Sequence, residues 1–267
     1  SIIRNDELYN NLKKNLIHDK FVKFKKNRNY KKIIKENYNL IINCDLNNQI
    51  TKKFFSKTIK KNYYSYAYTT IISHKKLIKN DTASQIFTKN GPIAFLPISK
   101  TQTSVVYSLK TKFSKNMDDI KRLIYKFNPN YDIIKIGTIS KVGLNSSNLR
   151  NYYKDNILAF GDLLHKVHPL AGQGFNMSLR DISCLSKLID EKLDLGLDLD
   201  TTICHNFEKE MRDKNLIFST GIDWIYQFFY FEGKTNNEII SKSLNILGKN
   251  KFFNSLFKKF ADNGLRL

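Results

Sequence analysis

One stretch of the chain, residues 157–176, constrains the fold more than any other. Its four apolar residues from Ile157 to Phe160 predict a short buried strand, and the pair Gly161-Asp162 follows directly. A loop with proline and glycine comes next, and a helix is predicted to begin near Gln173. This order brings a carboxylate and the free N–H groups of a helix start to one point. We therefore expect a ligand site there.

The residues at this point favour one kind of ligand. Asp162 at the carboxyl end of a buried strand can accept hydrogen bonds from a polyol such as a ribityl chain, and a helix N-terminus favours negative charge. Gly172 and Gly174 allow close backbone approach because they carry no Cβ atom. Taken singly, Asp162 is equally compatible with a turn cap, but the ordered combination predicts a flavin site.

The same order of residues resembles the second flavin motif of FAD-dependent aromatic hydroxylases with the para-hydroxybenzoate hydroxylase fold, and within them the ubiquinone-biosynthesis (polyprenylphenol) hydroxylases. Leu163 and Leu164 replace two alanines of that motif. Residues 83–97 and 207–213 resemble the family's substrate domain and C-terminal helix. The matching motif residues are Gly161, Asp162, His165, His168, Pro169, Gly172, Gln173, Gly174, Asn176 and Asp181.

The resemblance implies FAD as the cofactor and NAD(P)H as the reductant. It implies flavin contacts by Asp45, Gly161, Asp162, Pro169, Gly172, Gln173, Gly174, Phe175 and Asn176. It places Ala94, Leu96, Pro97 and His168 at the substrate pocket, and Pro169 also borders the space for the ring. No general base and no metal ligand is predicted, and the expected role of His165 and His168 is packing or hydrogen bonding.

The sequence departs from the family pattern in two places. It contains no Gly-x-Gly-x-x-Gly turn, which in the family holds the ADP half of FAD, and it begins at Ser1. We therefore interpret it as a fragment that lacks the N-terminal βαβ unit. Where the family has Asp-Gly-x-x-Ser-x-x-Arg, this chain has Asp45 followed by Leu46, with Lys52 in place of the arginine. Tight flavin retention and nicotinamide use are left open by these changes.

The formal charge of +21, from 45 Lys+Arg against 24 Asp+Glu, would by itself suggest a nucleic acid or an anionic membrane as partner. The excess is mostly lysine and accompanies abundant Asn, Ile, Phe and Tyr, whose codons are A/T-rich, so we predict no nucleic-acid partner. The basic stretch from Lys20 to Lys35 alternates with aromatic residues as a strand does. We interpret it as a solvated face, with a membrane-facing patch as the alternative.

Two further features bound the class of protein. The three cysteines are widely spaced, which is typical of a reducing compartment and excludes a cysteine-based zinc site. The aromatic cluster at residues 224–231, which includes Trp224 and Phe228, predicts core packing between C-terminal helices. The alternative is an apolar patch that docks on a membrane or a partner.

The predicted fold mixes α+β and α/β features: a para-hydroxybenzoate hydroxylase-like FAD fold without the N-terminal βαβ unit, with an antiparallel substrate-domain sheet and C-terminal helices. The expected domains are 1–53 (remainder of the FAD-binding domain), 54–145 (substrate-binding sheet), 146–193 (FAD-binding) and 194–267 (C-terminal helical region). Strands are predicted at 39–44, 63–73, 84–88, 93–97, 105–110, 133–142 and 157–160, and helices at 5–17, 115–127, 173–193, 201–231, 236–247 and 251–261.

These features and the resemblance predict a flavin-dependent monooxygenase that hydroxylates a polyprenylated phenol in ubiquinone biosynthesis, using NAD(P)H and dioxygen. The expected location is cytoplasmic, peripheral at the inner face of the membrane, with contact to a complex of ubiquinone-biosynthesis proteins. Two alternatives stay open. One is a flavin oxidoreductase of the same fold, such as a geranylgeranyl-type reductase, and the other is a non-catalytic lipid- or partner-binding derivative.

Overall fold

A computed structural model describes residues 4–25, 30–113, 115–168 and 172–235, with only the backbone of residues 225 and 228–235. These residues form two units. Unit 1 contains the described residues of 1–29 and Ser65–Gly143, and unit 2 contains Tyr30–Tyr64 and the described residues from Leu144 onward. Residues 1–29 thus group with the large sheet, whereas the sequence-based division placed 1–53 in the FAD-binding domain.

The helices and strands follow the chain in this order: α1 (Asn5–Ile17), α2 (Tyr30–Lys35), β1 (Ile41–Asn43), α3 (Gln49–Phe54), β2 (Thr58–His74), β3 (Ser84–Thr88), β4 (Gly91–Ser99), β5 (Gln102–Lys110), α4 (Met117–Phe127), β6 (Ile133–Ile136), β7 (Ser140–Leu149), β8 (Tyr153–Lys154), β9 (Ile157–Ala159), β10 (His165–Lys166), α5 (Gln173–Asp194) and α6 (Thr201–Thr235). Short 3-10 turns cover Thr111–Phe113 and Gly161–Leu163.

Unit 1 is an antiparallel sheet with one helix. Strands β2, β5, β4 and β3 are neighbours in that order, and β6 also pairs with β2. Alternate residues such as Phe95 and Tyr107 point to one side, where they bury their rings together with Ile120 and Ile124 of α4. The side chain of Asn116 caps α4 by accepting a hydrogen bond from the backbone N–H of Asp119 at 2.8 Å. The predicted antiparallel sheet is confirmed.

Unit 2 contains a small mixed sheet and two long helices. The small sheet has three strands, in which β1 runs parallel to β9 and β9 pairs antiparallel with β8. Separately from it, β10 pairs antiparallel with β7. Apolar residues of β9 pack with Leu185 of α5 and Phe207 of α6 in one core. A second core, which we call the Tyr63 core, comprises Tyr63, Met177, Phe218, Ile222 and Tyr226.

The structure corrects two of the predicted elements. The described residues between Lys20 and Lys35 do not form a strand, because residues 22–25 have no regular structure and Tyr30–Lys35 form a helix. The predicted strand at 133–142 is two strands, β6 and β7, which are separated around Gly137. The Gly137 backbone N–H donates to the Ile71 carbonyl at 2.9 Å, and a Cβ on residue 137 would lie 3.0 Å from that oxygen. A side chain at the break would therefore crowd the Ile71 carbonyl.

The C-terminal predictions are met in part. Helix α6 is continuous over the range predicted as 201–231, but the helices predicted at 236–247 and 251–261 lie outside the described residues. Tyr226 is buried, while Trp224 is 61% exposed. The side chain of Phe228 is not among those described. In the part of the chain that the structure describes, no helix is long and apolar enough to cross a membrane.

Candidate flavin site

Two predicted site acids follow neighbouring parallel strands. Asn43 of β1 is the register partner of Ala159 of β9, and the Phe160 backbone N–H donates to the Asn43 carbonyl at 2.9 Å. Asp45 and Gly161-Asp162 come directly after these two strands. Since the carboxyl ends of parallel strands meet at the same edge of a sheet, both acids belong to one edge, which we call the flavin edge.

The turn after β9 contains a glycine in a left-handed conformation and an exposed acid. Gly161 has a φ of +64°, a left-handed conformation that glycine adopts without strain, and no atom lies within 4 Å of where its Cβ would be. Asp162 is exposed beside this open space. Leu163 and Leu164, which replace the alanines of the family motif, are buried in the core of unit 2. Their side chains therefore stabilise the turn by packing in the core, and they do not fill the open space at the flavin edge.

Helix α5 follows β10 in the chain and begins at Gln173. It packs against the Gly161–Leu163 turn, and its N-cap residue Gly172 has a φ of +66° with no side-chain cap and open space at the Cβ position. The first N–H groups of α5 are therefore not capped by the N-cap side chain, and they carry the positive end of the helix dipole. Gln173 and Gly174 are half-buried, whereas Phe175 and Asn176 are exposed. Pro169 lies outside the described residues.

A buried amide network, not predicted from the sequence, holds the loop that carries Asp45. The Asn48 side chain caps α3 by accepting from the Thr51 N–H at 2.8 Å, and its Nδ2 donates to Asn43 Oδ1 at 2.6 Å. Asn43 Nδ2 in turn donates to Thr51 Oγ1 at 2.8 Å. The Asp45 carboxylate accepts from the Asn47 N–H at 2.7 Å. An N-cap asparagine three residues before a threonine was the available sequence signal for this network.

A second buried polar group fixes the motif to both long helices. Asp181 of α5 is fully buried, and its carboxylate lies 2.5 Å from His165 Nε2 and 2.9 Å from Asn215 Nδ2 of α6. A carboxylate only accepts, so His165 carries a proton on Nε2. The hydrogen-bonding role expected for His165 is thus what the structure shows, and Asp181 connects β10, α5 and α6.

His168 is fully buried among the described residues, and its predicted place at the substrate pocket stays a prediction. Its ring is fully buried against the Tyr63 core, 4.2 Å from the Tyr226 ring centroid and edge-on to Tyr63 at 4.9 Å. Burial lowers the pKa of His168 to about 4, so the imidazole is neutral near pH 7. Such a group is a weak base, and the structure gives it a packing role.

The substrate-pocket residues predicted on β4 divide between two faces of the sheet of unit 1. Ala94 and Leu96 are half-buried on the face opposite Phe95, whereas Pro97 alternates onto the same side as Phe95 and is buried. Pro97 is thus buried, and its place at the substrate pocket stays a prediction. Ala94 and Leu96 stay candidates for an apolar surface.

The residues of the flavin edge fit the flavin end of FAD. Open space at Gly161 and Gly172, an exposed Asp162 and a helix start without a side-chain cap can accept a ribityl chain and a ring edge that carries negative charge. The chain has no Gly-x-Gly-x-x-Gly turn for the pyrophosphate. Among the described residues, no group of three His, Cys, Asp or Glu side chains could hold a metal ion.

Comparisons with known proteins agree with this fit. A family described as "FAD binding domain" matches residues 99–196. The chain is 24% identical over 233 residues to the mitochondrial ubiquinone biosynthesis monooxygenase of Danio rerio, which covers 71% of this chain and 48% of that protein. It is 26% identical to the 3-demethoxyubiquinol 3-hydroxylase of Escherichia coli over 56% of this chain and 40% of that protein. The chain thus spans about half the length of the curated relatives it matches.

Solved structures share the fold. The p-nitrophenol 4-monooxygenase of Pseudomonas putida superimposes with a TM-score of 0.69 at 13% identity, over 85% of this chain and 60% of that one. An HpxO variant of Klebsiella pneumoniae complexed with FAD gives a TM-score of 0.65 at 10% identity, over 84% and 61%.

The fold is the para-hydroxybenzoate hydroxylase-like fold of solved monooxygenases, and residues 99–196 match the FAD binding domain family. The predicted cofactor, FAD, is confirmed. Within that class the curated relatives are hydroxylases of ubiquinone biosynthesis, so the resemblance read from the second flavin motif is confirmed as well.

Proposed function

We propose that this chain supplies the flavin end of the active site of an FAD-dependent monooxygenase that hydroxylates a polyprenylated phenol in ubiquinone biosynthesis. The observation that carries the proposal is that Asp45 and Asp162 follow neighbouring parallel strands at one edge of the small sheet in unit 2, where α5 packs against the Gly161–Leu163 turn. The names of the Danio rerio and Escherichia coli relatives support the pathway.

Each residue of the flavin edge has a distinct part in the proposal. Asp162 binds the hydroxyls of the ribityl chain, and the uncapped N-terminus of α5 stabilises negative charge on the ring edge of the flavin. When bound, FAD supplies the redox chemistry, taking electrons from NAD(P)H and activating dioxygen. Ala94 and Leu96, half-buried on one face of the sheet of unit 1, are the apolar residues that we propose contact the phenol ring.

The proposal extends to the place where the substrate is met. A polyprenylated phenol resides in a bilayer, and the exposed indole of Trp224 together with the formal charge of +21 suits peripheral contact with an anionic membrane surface. We infer contact at the inner face of the membrane, within a group of ubiquinone-biosynthesis proteins. The Danio rerio relative is named as mitochondrial, so a localisation experiment should compare mitochondrial and cytoplasmic fractions.

The test of this function is turnover with labelled dioxygen. A preparation that includes a dinucleotide-binding unit is incubated with FAD, NAD(P)H and a short-chain polyprenylphenol, and incorporation of the oxygen label into the ring is measured by mass spectrometry. Labelled hydroxylated product is expected. Saturation of the prenyl chain without oxygen incorporation would identify a reductase instead, and FAD binding with no product would identify a non-catalytic derivative.

A substitution connects that activity to the flavin edge. Asp162→Ala removes a charge-assisted hydrogen bond worth roughly 1.5–3 kcal/mol, so FAD affinity should fall by about tenfold or more. Asp194→Ala, an exposed acid at the far end of α5, is the matched control. Unchanged FAD content in the Asp162→Ala protein would refute the ribityl assignment.

A further inference from the structure

A side-chain cluster outside the flavin motif joins β2 to α6 within unit 2. Tyr63 of β2 donates its hydroxyl hydrogen bond to one carboxylate oxygen of Asp223 on α6. Lys61 Nζ lies 2.9 Å from the other oxygen of that carboxylate. The Asp223 side chain is only 16% exposed, so these two partners replace most of the water that a free carboxylate would have. The cluster ties the start of β2 to α6 across 160 residues of sequence.

Tyr63 and its neighbours enclose His168. The Tyr63 ring lies edge-on to His168 at 4.9 Å and edge-on to Tyr226 at 5.5 Å, while His168 and Tyr226 are 4.2 Å apart. Tyr63 therefore contacts the His168 ring, and Asp223 fixes the orientation of the Tyr63 hydroxyl.

His168 lies close in sequence to the start of α5, and the Tyr63 core that encloses it also reaches that helix. His168 is four residues before Gly172, the N-cap of α5, and Met177 of the first turns of α5 packs in the same Tyr63 core. A displacement of Tyr63 would therefore act on the first turns of α5 through Met177. The rings already satisfy the packing, so the Tyr63 hydroxyl and Asp223 add orientation rather than bulk.

We propose that Tyr63 and Asp223 are positioning residues that fix His168 and the first turn of α5, and so couple helix α6 to the geometry of the flavin edge. The value of that geometry for flavin binding rests on the proposed function. The coupling itself does not, because it is a property of the protein without cofactor.

The experiment uses the 267-residue chain and residue-resolved hydrogen exchange by NMR. The reporters are the amides of residues 177–180, whose helical acceptors are the carbonyls of residues 173–176. Tyr63→Phe keeps the ring and removes the hydroxyl, and Asp223→Asn keeps the shape and removes the charge. Each should raise exchange at these amides by roughly fivefold to tenfold, the effect of losing one hydrogen bond, and the double variant should add little to the larger single effect.

The matched control is Tyr153→Phe, which removes another tyrosine hydroxyl of unit 2, 3.4 Å from His205 Nδ1. It should leave exchange at residues 177–180 unchanged. Unchanged exchange there in both Tyr63→Phe and Asp223→Asn would overturn the proposal, and so would a rise spread evenly over unit 2. Because no flavin is used, either result is independent of whether the protein hydroxylates a phenol.

Discussion

Replacing Asp181 by alanine should destabilise this protein more than any other single change at the flavin motif. The carboxylate is fully buried and is the acceptor for both His165 and Asn215, each only 2% exposed. Asp181→Ala leaves two buried donors without an acceptor, at about 1–3 kcal/mol each, and leaves a small cavity as well. The free energy of unfolding should therefore fall by roughly 3–5 kcal/mol, in the range found when one partner of a buried polar pair is removed.

Urea denaturation followed by circular dichroism measures this loss, and a thermal melt should show Tm lower by about 6–20 °C for a chain of this size. Asp181→Asn should cost less, because the amide keeps an oxygen that can accept from Asn215. The control is Asp190→Ala, an exposed acid on the same helix that should change stability by less than about 0.5 kcal/mol. If Asp181→Ala were no less stable than Asp190→Ala, the proposed role of Asp181 in joining β10, α5 and α6 would be refuted.

Further outcomes are expected at other positions. Gly172→Ala places a Cβ on a residue with a φ of +66°, which costs about 1 kcal/mol in backbone strain. The Cβ position is open, so no steric clash adds to this cost. FAD binding should weaken, and equal FAD affinity would contradict this. His168 has a pKa lowered to about 4 by burial, so the unfolded chain binds its proton first, and stability should fall as pH drops from about 6.5 towards 4; His168→Phe should flatten that slope in urea titrations. The 267-residue chain alone should bind FAD more weakly than micromolar by flavin fluorescence, because it has no Gly-x-Gly-x-x-Gly turn. Trp224→Ala should reduce co-sedimentation with anionic liposomes and leave Tm unchanged. Unchanged co-sedimentation would show that the indole has no part in membrane contact.

The flavin edge was predictable because its signals are local. A strand, a Gly-Asp pair and a glycine before a helix lie within twenty residues, and each has a conformational reason that the structure shows at Gly161 and Gly172. The sheet of unit 1 was predictable for a similar reason, since alternating apolar residues and the turn before Gly91 define strands without knowledge of their partners.

The residues that support the edge carry no comparable signal. Tyr63 and Asp223 are 160 residues apart, and Asn215 is 34 residues from Asp181, so only the folded chain shows that they meet. The strand-like interpretation of Lys20 to Lys35 was wrong for the opposite reason, because its signal was local but misleading. Its local alternation of lysine and aromatic residues imitates a strand, yet residues 30–35 form a helix whose Tyr30 packs against the core of unit 2.

Helix α5 shows how these supports combine. It packs against the Gly161–Leu163 turn of the flavin edge, Asp181 and Leu185 are buried within unit 2, and Phe175, Leu179 and Ile182 form an exposed apolar stripe at helical spacing. Two of the three surfaces of this helix therefore have partners within unit 2. The third is the surface on which the dinucleotide-binding unit required by the proposed function could pack, and packing there would hold the start of α5 against the ring it is proposed to bind. Stable FAD binding should thus need more than the phosphate turn, because the same unit would also cover the open side of α5.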